Sequence, residues 1–84
     1  MKLYVVTTIS SGEVSLEIDR QKIFLSKDDA KVFFEEAYKD IVKMIEGYNL
    51  IDVAKQYDYF LLQIDDEYCT AYCGEIREIE VDVG

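Results

Sequence analysis

Apolar and polar residues alternate along the first part of the chain, and this period of two predicts a β-hairpin. Residues 2–10 are rich in β-branched side chains, which favour strands, and residues 14–19 alternate regularly. Gly12 is free to take a positive φ in the turn between them, and residues 22–25 are expected to extend the second strand beyond a kink near residues 19–21. The side chains expected to face the core are Leu3, Val5, Thr7, Ile9, Val14, Leu16 and Ile18.

The period then changes to three and four residues, which predicts one long amphipathic helix. Ser26 is a suitable N-cap, and Asp29 stands three residues later in a position like that of a capping box. Gly47 is the expected stop, and Glu35 and Lys39 are spaced for an ion pair on the exposed side. The apolar stripe of this helix consists of Ala30, Phe33, Phe34, Ala37, Tyr38, Ile41, Val42, Ile45 and Tyr48.

Shorter segments follow the long helix. Residues 49–56 are a candidate second helix that would begin at Asn49. Further apolar and alternating segments predict three more strands, with Gly74 breaking the chain between the last two. These strands are expected at residues 58–65, 67–73 and 76–83.

The resulting order, ββαβββ, predicts a single α+β domain that spans residues 1–84. Its antiparallel sheet of four or five strands would carry the long helix on one face. A chain of 84 residues buries only about 60–65% of its unfolded surface, so we expect modest stability unless the domain associates with another chain. No apolar run approaches about 18 residues, and the first residues do not resemble a signal peptide, so a cytoplasmic protein of bacterial type with reduced cysteines is expected.

The net charge of −9 is unevenly distributed, because residues 58–84 hold eight acidic residues and one Arg. Such a field repels nucleic acids and anionic membranes, so neither is an expected direct partner. One hypothesis is therefore an acidic inhibitor that imitates nucleic acid, of the anti-CRISPR or anti-restriction type, and binds a basic protein groove. The acidic residues that would form this surface are Asp65, Asp66, Glu67, Glu75, Glu78, Glu80 and Asp82.

Two cysteines lie four residues apart in the stretch DDEYCTAYCGE at residues 65–75. On one strand they would be separated by about 13 Å, which is too far for a disulfide bond between them. The chain has no His to complete a zinc site, and the spacing of acidic residues does not match a calcium loop. We therefore expect Cys69 and Cys73 to be core residues on one face of a strand.

No arrangement of residues in the sequence points to catalysis. General acid–base chemistry most often uses His, which is absent, and the four glycines are isolated rather than grouped in a phosphate-binding loop. We therefore expect no catalytic residues, no cofactor, no metal site and no small-molecule substrate.

Tyrosines concentrate on the side of the predicted sheet that would face away from the helix. Tyrosine among apolar residues is typical of contact surfaces, although its strand propensity alone would also place it there. Our leading hypothesis is a non-catalytic interaction domain that self-associates, as a homodimer for example, or binds another protein through this face. The expected contact residues are Tyr4, Val6, Tyr59, Leu61, Tyr68 and Tyr72.

The segments LYVVTTISSGEVSLEI, FLSKDDAKVFFEEAY and EIREIEVDV together resemble small conserved proteins of unknown function from gut bacteria and their mobile elements. The shared features are an opening hairpin, a Ser-capped helix and an acidic closing strand. This resemblance implies an accessory or phage-linked protein, and it implies no activity and no functional residues.

Overall fold

The computed structural model describes residues 1–12 and 15–82, which form one antiparallel five-stranded sheet with one helix on one face. This architecture confirms the predicted α+β class and the order ββαβββ. Val14, which was expected to face the core, lies outside the described residues. The elements are β1 (Lys2–Ser11), β2 (Leu16–Phe24), α1 (Lys27–Met44), β3 (Leu50–Lys55), β4 (Tyr59–Ile64) and β5 (Ala71–Glu80).

The strands lie in the order β2-β1-β5-β4-β3, so the last strand of the chain is the central strand of the sheet. β1 and β5 pair over their full lengths, from Lys2 opposite Glu80 to Ser11 opposite Ala71. The register of β1 against β2 shifts between Thr8 and Ile9, which confirms the kink predicted near residues 19–21. β2 and β3 are the two edges of the sheet.

Local signals set both ends of α1 as predicted. The Ser26 side chain accepts a hydrogen bond of 3.3 Å from the backbone N–H of Asp29, which satisfies one free amide of the first turn. The helix ends at Met44, and Gly47 takes a φ of 97°, a conformation that suits glycine. The predicted ion pair differs, because Glu35 contacts Lys55 of β3 at 3.0 Å rather than Lys39.

The core forms where α1 covers the sheet. Phe34 is fully buried and contacts the ring of Phe60 with 5.4 Å between ring centroids, while Tyr38 meets Phe60 edge-on at 5.2 Å. Burying a side chain of this size stabilises the fold by about 1.5–3 kcal/mol. The buried apolar residues are Val6, Ala30, Phe34, Ala37, Ile41, Ile45, Phe60, Leu62 and Ile64.

Residues 49–56 do not form the second helix that we predicted, because most of them belong to β3. β3 pairs with β4 in a hairpin that places Lys55 opposite Phe60. A helix of this length is marginal by itself, whereas the free edge of β4 offers this segment a full set of backbone hydrogen bonds.

The break predicted at Gly74 is also wrong. Gly74 lies inside β5, which continues as one strand from Ala71 to Glu80, and residues 67–70 form a loop instead of a strand. A Cβ added at Gly74 would lie 2.6 Å from Cζ of Phe60, so the glycine makes room for the aromatic ring. Gly74 therefore allows a close contact with the core and does not end a strand.

The two faces of the hairpin are the reverse of those that the alternation suggested. Val6 and Thr8 are buried beneath α1, while Leu3, Val5, Thr7 and Ile9 point away from the helix. Leu16 and Ile18 of β2 are exposed on that same side, with 70% and 64% of their surface accessible. β1 is apolar on both faces, so a period of two locates the strand but not its inner side.

Thr8 is the one buried polar side chain among the described residues, and its Oγ1 has no hydrogen-bond partner within them. We expect Thr8→Val to stabilise the fold by about 1–2 kcal/mol, because a buried hydroxyl without a partner costs free energy that a methyl group does not. Urea unfolding measures the difference. Thr7→Val is the matched control, because Thr7 lies on the opposite face and accepts a hydrogen bond from Gln21. A less stable Thr8→Val variant would contradict this prediction.

Candidate interaction surface

The sheet face opposite α1 is apolar, and no other element packs against it within residues 1–12 and 15–82. We call it the outer face. Its side chains are identified by their register with Thr7, Ile9 and Tyr59, which line a common depression on this side. The outer face consists of Leu3, Val5, Thr7, Ile9, Ser11, Leu16, Ile18, Gln21, Ile23, Asp52, Ala54, Tyr59, Leu61, Gln63, Ala71, Cys73, Glu75, Arg77 and Ile79.

Strand pairing arranges these side chains in rows across the sheet. One row runs from Ile18 through Ile9 and Cys73 to Leu61, so four strands contribute one continuous apolar band. Beside this band lies a shallow depression of about 340 Å³. Side chains directly opposite each other in an antiparallel pair lie close enough to touch, so the rows form a nearly continuous surface.

The outer face is extensive and mostly apolar. Each strand residue occupies about 16 Å² of sheet, so the five strands present about 650 Å² on each side. The largest apolar patch on a typical monomer covers about 300–600 Å², and such patches are often functional. Along the exposed edge strand, Leu16, Ile18 and Ile23 each leave at least 60% of their surface accessible.

The shape of the chain is consistent with an uncovered sheet. The described Cα atoms extend over 50 × 24 × 16 Å, and their radius of gyration is 14.1 Å. A compact domain of this length has a radius of gyration of about 12 Å. The described residues therefore form a thin slab of one sheet and one helix, and within them half of the sheet surface has no covering layer.

The outer face carries little net charge although the chain carries −9. Its charged residues are Asp52, Glu75 and Arg77, and the last two form an ion pair of 3.4 Å. Because side chains alternate along β5, Glu78 and Glu80 lie on the side of the helix. There Glu80 accepts a hydrogen bond of 3.3 Å from the N-terminal ammonium group. The outer face is thus a nearly neutral surface on a strongly acidic protein.

The structure divides the six predicted contact residues among three places. Tyr59 and Leu61 lie on the outer face as expected, and Tyr68 lies exposed in the loop between β4 and β5. Tyr4, Val6 and Tyr72 lie on the helix side instead, because the faces of β1 and β5 are reversed relative to the prediction. The sequence-based reasoning consequently missed the aliphatic residues of β1 and β2, which supply most of the aliphatic side chains of the outer face.

The predicted acidic surface is also divided. Asp65, Asp66 and Glu67 occupy the loop before β5, Glu75 lies on the outer face, and Glu78 and Glu80 lie on the helix side. Asp82 follows the end of β5. The ten residues of β5 span about 30 Å, so the loop acids and the acids at the end of the strand are far apart.

Asp66 organises the loop that connects β4 to β5. Its carboxylate accepts hydrogen bonds from the backbone N–H and the hydroxyl of Thr70, both at 2.8 Å, and from the N–H of Tyr68 at 3.2 Å. These bonds, above all that from the Thr70 N–H, lower the pKa of Asp66 below its usual value. The acidic loop is thus explained by its own hydrogen bonding.

Neither cysteine is a core residue, which corrects the prediction for both. Cys69 is exposed in this loop with a φ of 50°, and it lies outside any strand. Cys73 lies half-buried on the outer face, and this burial raises the pKa of its thiol. A raised pKa lowers the fraction of thiolate, so Cys73 serves as a small apolar contact and is a weak nucleophile.

A second apolar groove lies on the helix side, between the end of α1 and β3. Tyr38, Val42, Ile45, Val53 and their neighbours line a space of about 510 Å³. Lys43 and Glu46 also border this groove, so its lining combines apolar and charged side chains. It provides a useful reference surface for mutagenesis.

Within residues 1–12 and 15–82, no cluster of three or more potential metal-binding side chains is present, and no helix has the length and apolar character needed to cross a bilayer. Comparison of the chain with protein-family models, curated proteins and solved structures gives no match.

Proposed function

We propose that this protein is a non-catalytic interaction domain that binds another protein surface through its outer face. The observation that carries the proposal is a sheet face of about 650 Å² with mostly apolar side chains, which no other element covers within residues 1–12 and 15–82. Aliphatic side chains held on paired strands are rigid, so covering them gains hydrophobic free energy at a small entropic cost.

The chemistry of the outer face favours a protein as its partner. Binding of nucleic acids or anionic lipids requires Lys and Arg, and Arg77 is the one basic residue on this face. Aromatic stacking of bases would require several exposed rings, whereas this face carries Tyr59 and a majority of aliphatic side chains. A flat apolar surface with little charge instead matches the central part of a protein–protein interface.

The alternative hypothesis, an acidic inhibitor that imitates nucleic acid, receives less support. Such a protein needs its carboxylates in one array, and the candidate acids occupy a loop, the outer face and the helix side. Asp66 is in addition engaged by Thr70 and Tyr68. A basic protein groove would therefore contact the acidic residues of only one of these three places at a time.

The proposal is tested by placing a charge at the centre of the apolar band. We expect Ile9→Asp to remain folded, because Ile9 is only half-buried, and to lose the complexes that the wild-type chain forms. Chemical crosslinking in host lysate, followed by mass spectrometry, measures all complexes, including those between identical chains. Val42→Asp is the matched control, since it adds the same charge to the groove on the helix side. Equal crosslinking of wild type and Ile9→Asp would refute the proposal.

A further inference from the structure

We propose that the partner bound by the outer face is a second copy of this chain, stacked face to face about a two-fold axis. This inference rests on the proposed function and adds the identity of the partner and the geometry of the contact. The axis lies between the two sheets, perpendicular to the strands, at the level of Ile76 in the central strand β5.

The ion pair on β5 determines this placement. Glu75 and Arg77 lie two residues apart on the same face of the central strand, one on each side of Ile76. Rotation about the axis makes β5 of the second copy run antiparallel to β5 of the first. Glu75 therefore faces the partner's Arg77, and Arg77 faces the partner's Glu75. Any axis that runs along β5 would place Glu75 against the partner's Glu75, which is unfavourable.

The same rotation brings apolar rows together. Ile9 and Cys73 stand on one side of the axis, and Leu3 and Ile79 stand at the matching level on the other side. In the dimer, Ile9 therefore packs over the partner's Leu3, and Cys73 packs over the partner's Ile79. A single surface is thus complementary to itself in both charge and hydrophobicity, which is the requirement for a two-fold interface.

The area of the contact is sufficient for a dimer. The three long strands present about 450 Å² of sheet per copy, and the complete face presents about 650 Å². Two copies together would therefore cover about 900–1,300 Å², near the lower limit of specific interfaces. Two stacked sheets about 10 Å apart, with a helix on each outside, would also give every strand a covered face.

The distribution of charge selects this face for self-association. Two copies of a chain that carries −9 repel each other in most orientations. The outer face holds about one net negative charge, and the rotation pairs its central charges with opposite ones. An acidic partner of the same sequence can therefore approach by this face at little electrostatic cost.

Reversal of the two charges tests the geometry. In Arg77→Glu, acids face acids across the axis, and in Glu75→Arg, basic groups face basic groups. We expect each single variant to self-associate at least about tenfold more weakly than the wild type. We expect an equimolar mixture of the two variants to form a heterodimer, and the double variant E75R/R77E to form homodimers like the wild type. Sedimentation equilibrium at several concentrations measures all four samples.

Lys39→Glu on the exposed side of α1 is the control, since it changes the net charge as Arg77→Glu does and should leave the dimer intact. Circular dichroism verifies that each variant is folded.

A mixture that associates no better than the single variants would overturn the two-fold geometry. If the wild type stays monomeric while Ile9→Asp still loses crosslinks to a different protein, the partner is not a second copy of this chain, and the proposed function stands. If no crosslink depends on Ile9, both proposals fail.

Discussion

We expect Val6→Asp to unfold the domain and Val5→Asp to leave it folded. Val6 is completely inaccessible beneath α1, so an aspartate there would bury a carboxylate without a partner. That burial costs several kcal/mol, comparable to the roughly 5 kcal/mol expected for the total stability of a domain this small. Val5 points to the outer face, where the new carboxylate reaches water and lies opposite Arg77.

Circular dichroism and urea unfolding of the two variants measure this contrast. The two substitutions are identical in chemistry and adjacent in sequence, so the comparison isolates the side of the sheet on which each residue lies. A folded Val6→Asp variant together with an unfolded Val5→Asp variant would show that the opposite face of β1 carries the core. Val5→Asp is also expected to weaken association through the outer face.

We expect Gly74→Ala to destabilise the domain by about 2–3 kcal/mol. The added methyl group would overlap the ring of Phe60, which cannot move away because Phe34 and Tyr38 pack against it. Overpacking a well-filled core typically costs about 1–3 kcal/mol, and the usual gain from replacing a glycine within a strand is smaller. Thermal or urea unfolding measures the loss.

Two further variants separate this clash from a general effect of glycine substitution. Gly12→Ala is the control, because the nearest atom to its added Cβ is Oγ of Ser15 at 3.9 Å. Phe60→Leu in the Gly74→Ala background should recover part of the stability, with a coupling of about 1 kcal/mol or more in a double-mutant cycle. Additive effects of the two substitutions would rule out the proposed contact.

The acidic residues of β5 are distributed unequally between the two sides of the sheet. Alternation along β5 directs Glu78 and Glu80 to the side of the helix, near Lys2 and the N-terminus, and leaves the other side nearly neutral. The proposed self-association therefore meets less repulsion at this face than the net charge suggests. The net charge by itself would have argued against a contact between two identical chains.

The sheet face that we propose as the interaction surface differs in composition from the one predicted. A face of the sheet opposite the helix was expected to bind a protein, and Tyr59 and Leu61 belong to that face. Tyr4, Val6 and Tyr72 were assigned to it wrongly, because the alternation of β1 and β5 was assigned the wrong inner side. Partly buried tyrosines can lie at the border of a core with their hydroxyl groups near water, so residue type alone does not identify the side.

The sequence by itself determined the features that depend on neighbouring residues. The period of α1, its Ser26 cap and its stop before Gly47 follow from contacts within one or two turns, and the strands β1, β2 and β4 follow from alternation and strand propensity. These signals depend on residues close together in the chain, so the amino-acid sequence alone contains them. Together they were sufficient for the fold class and the element order.

The tertiary structure alone decided which side of the sheet carries the core. β1 is apolar on both sides, so the choice depends on which side the helix covers, and Val6 rather than Val5 became buried. It also decided that residues 49–56 extend the sheet, because β4 supplies the hydrogen bonds, and that Gly74 lies within a strand, because Phe60 needs its space. Each of these outcomes rests on contacts between residues distant in sequence, which no local pattern records.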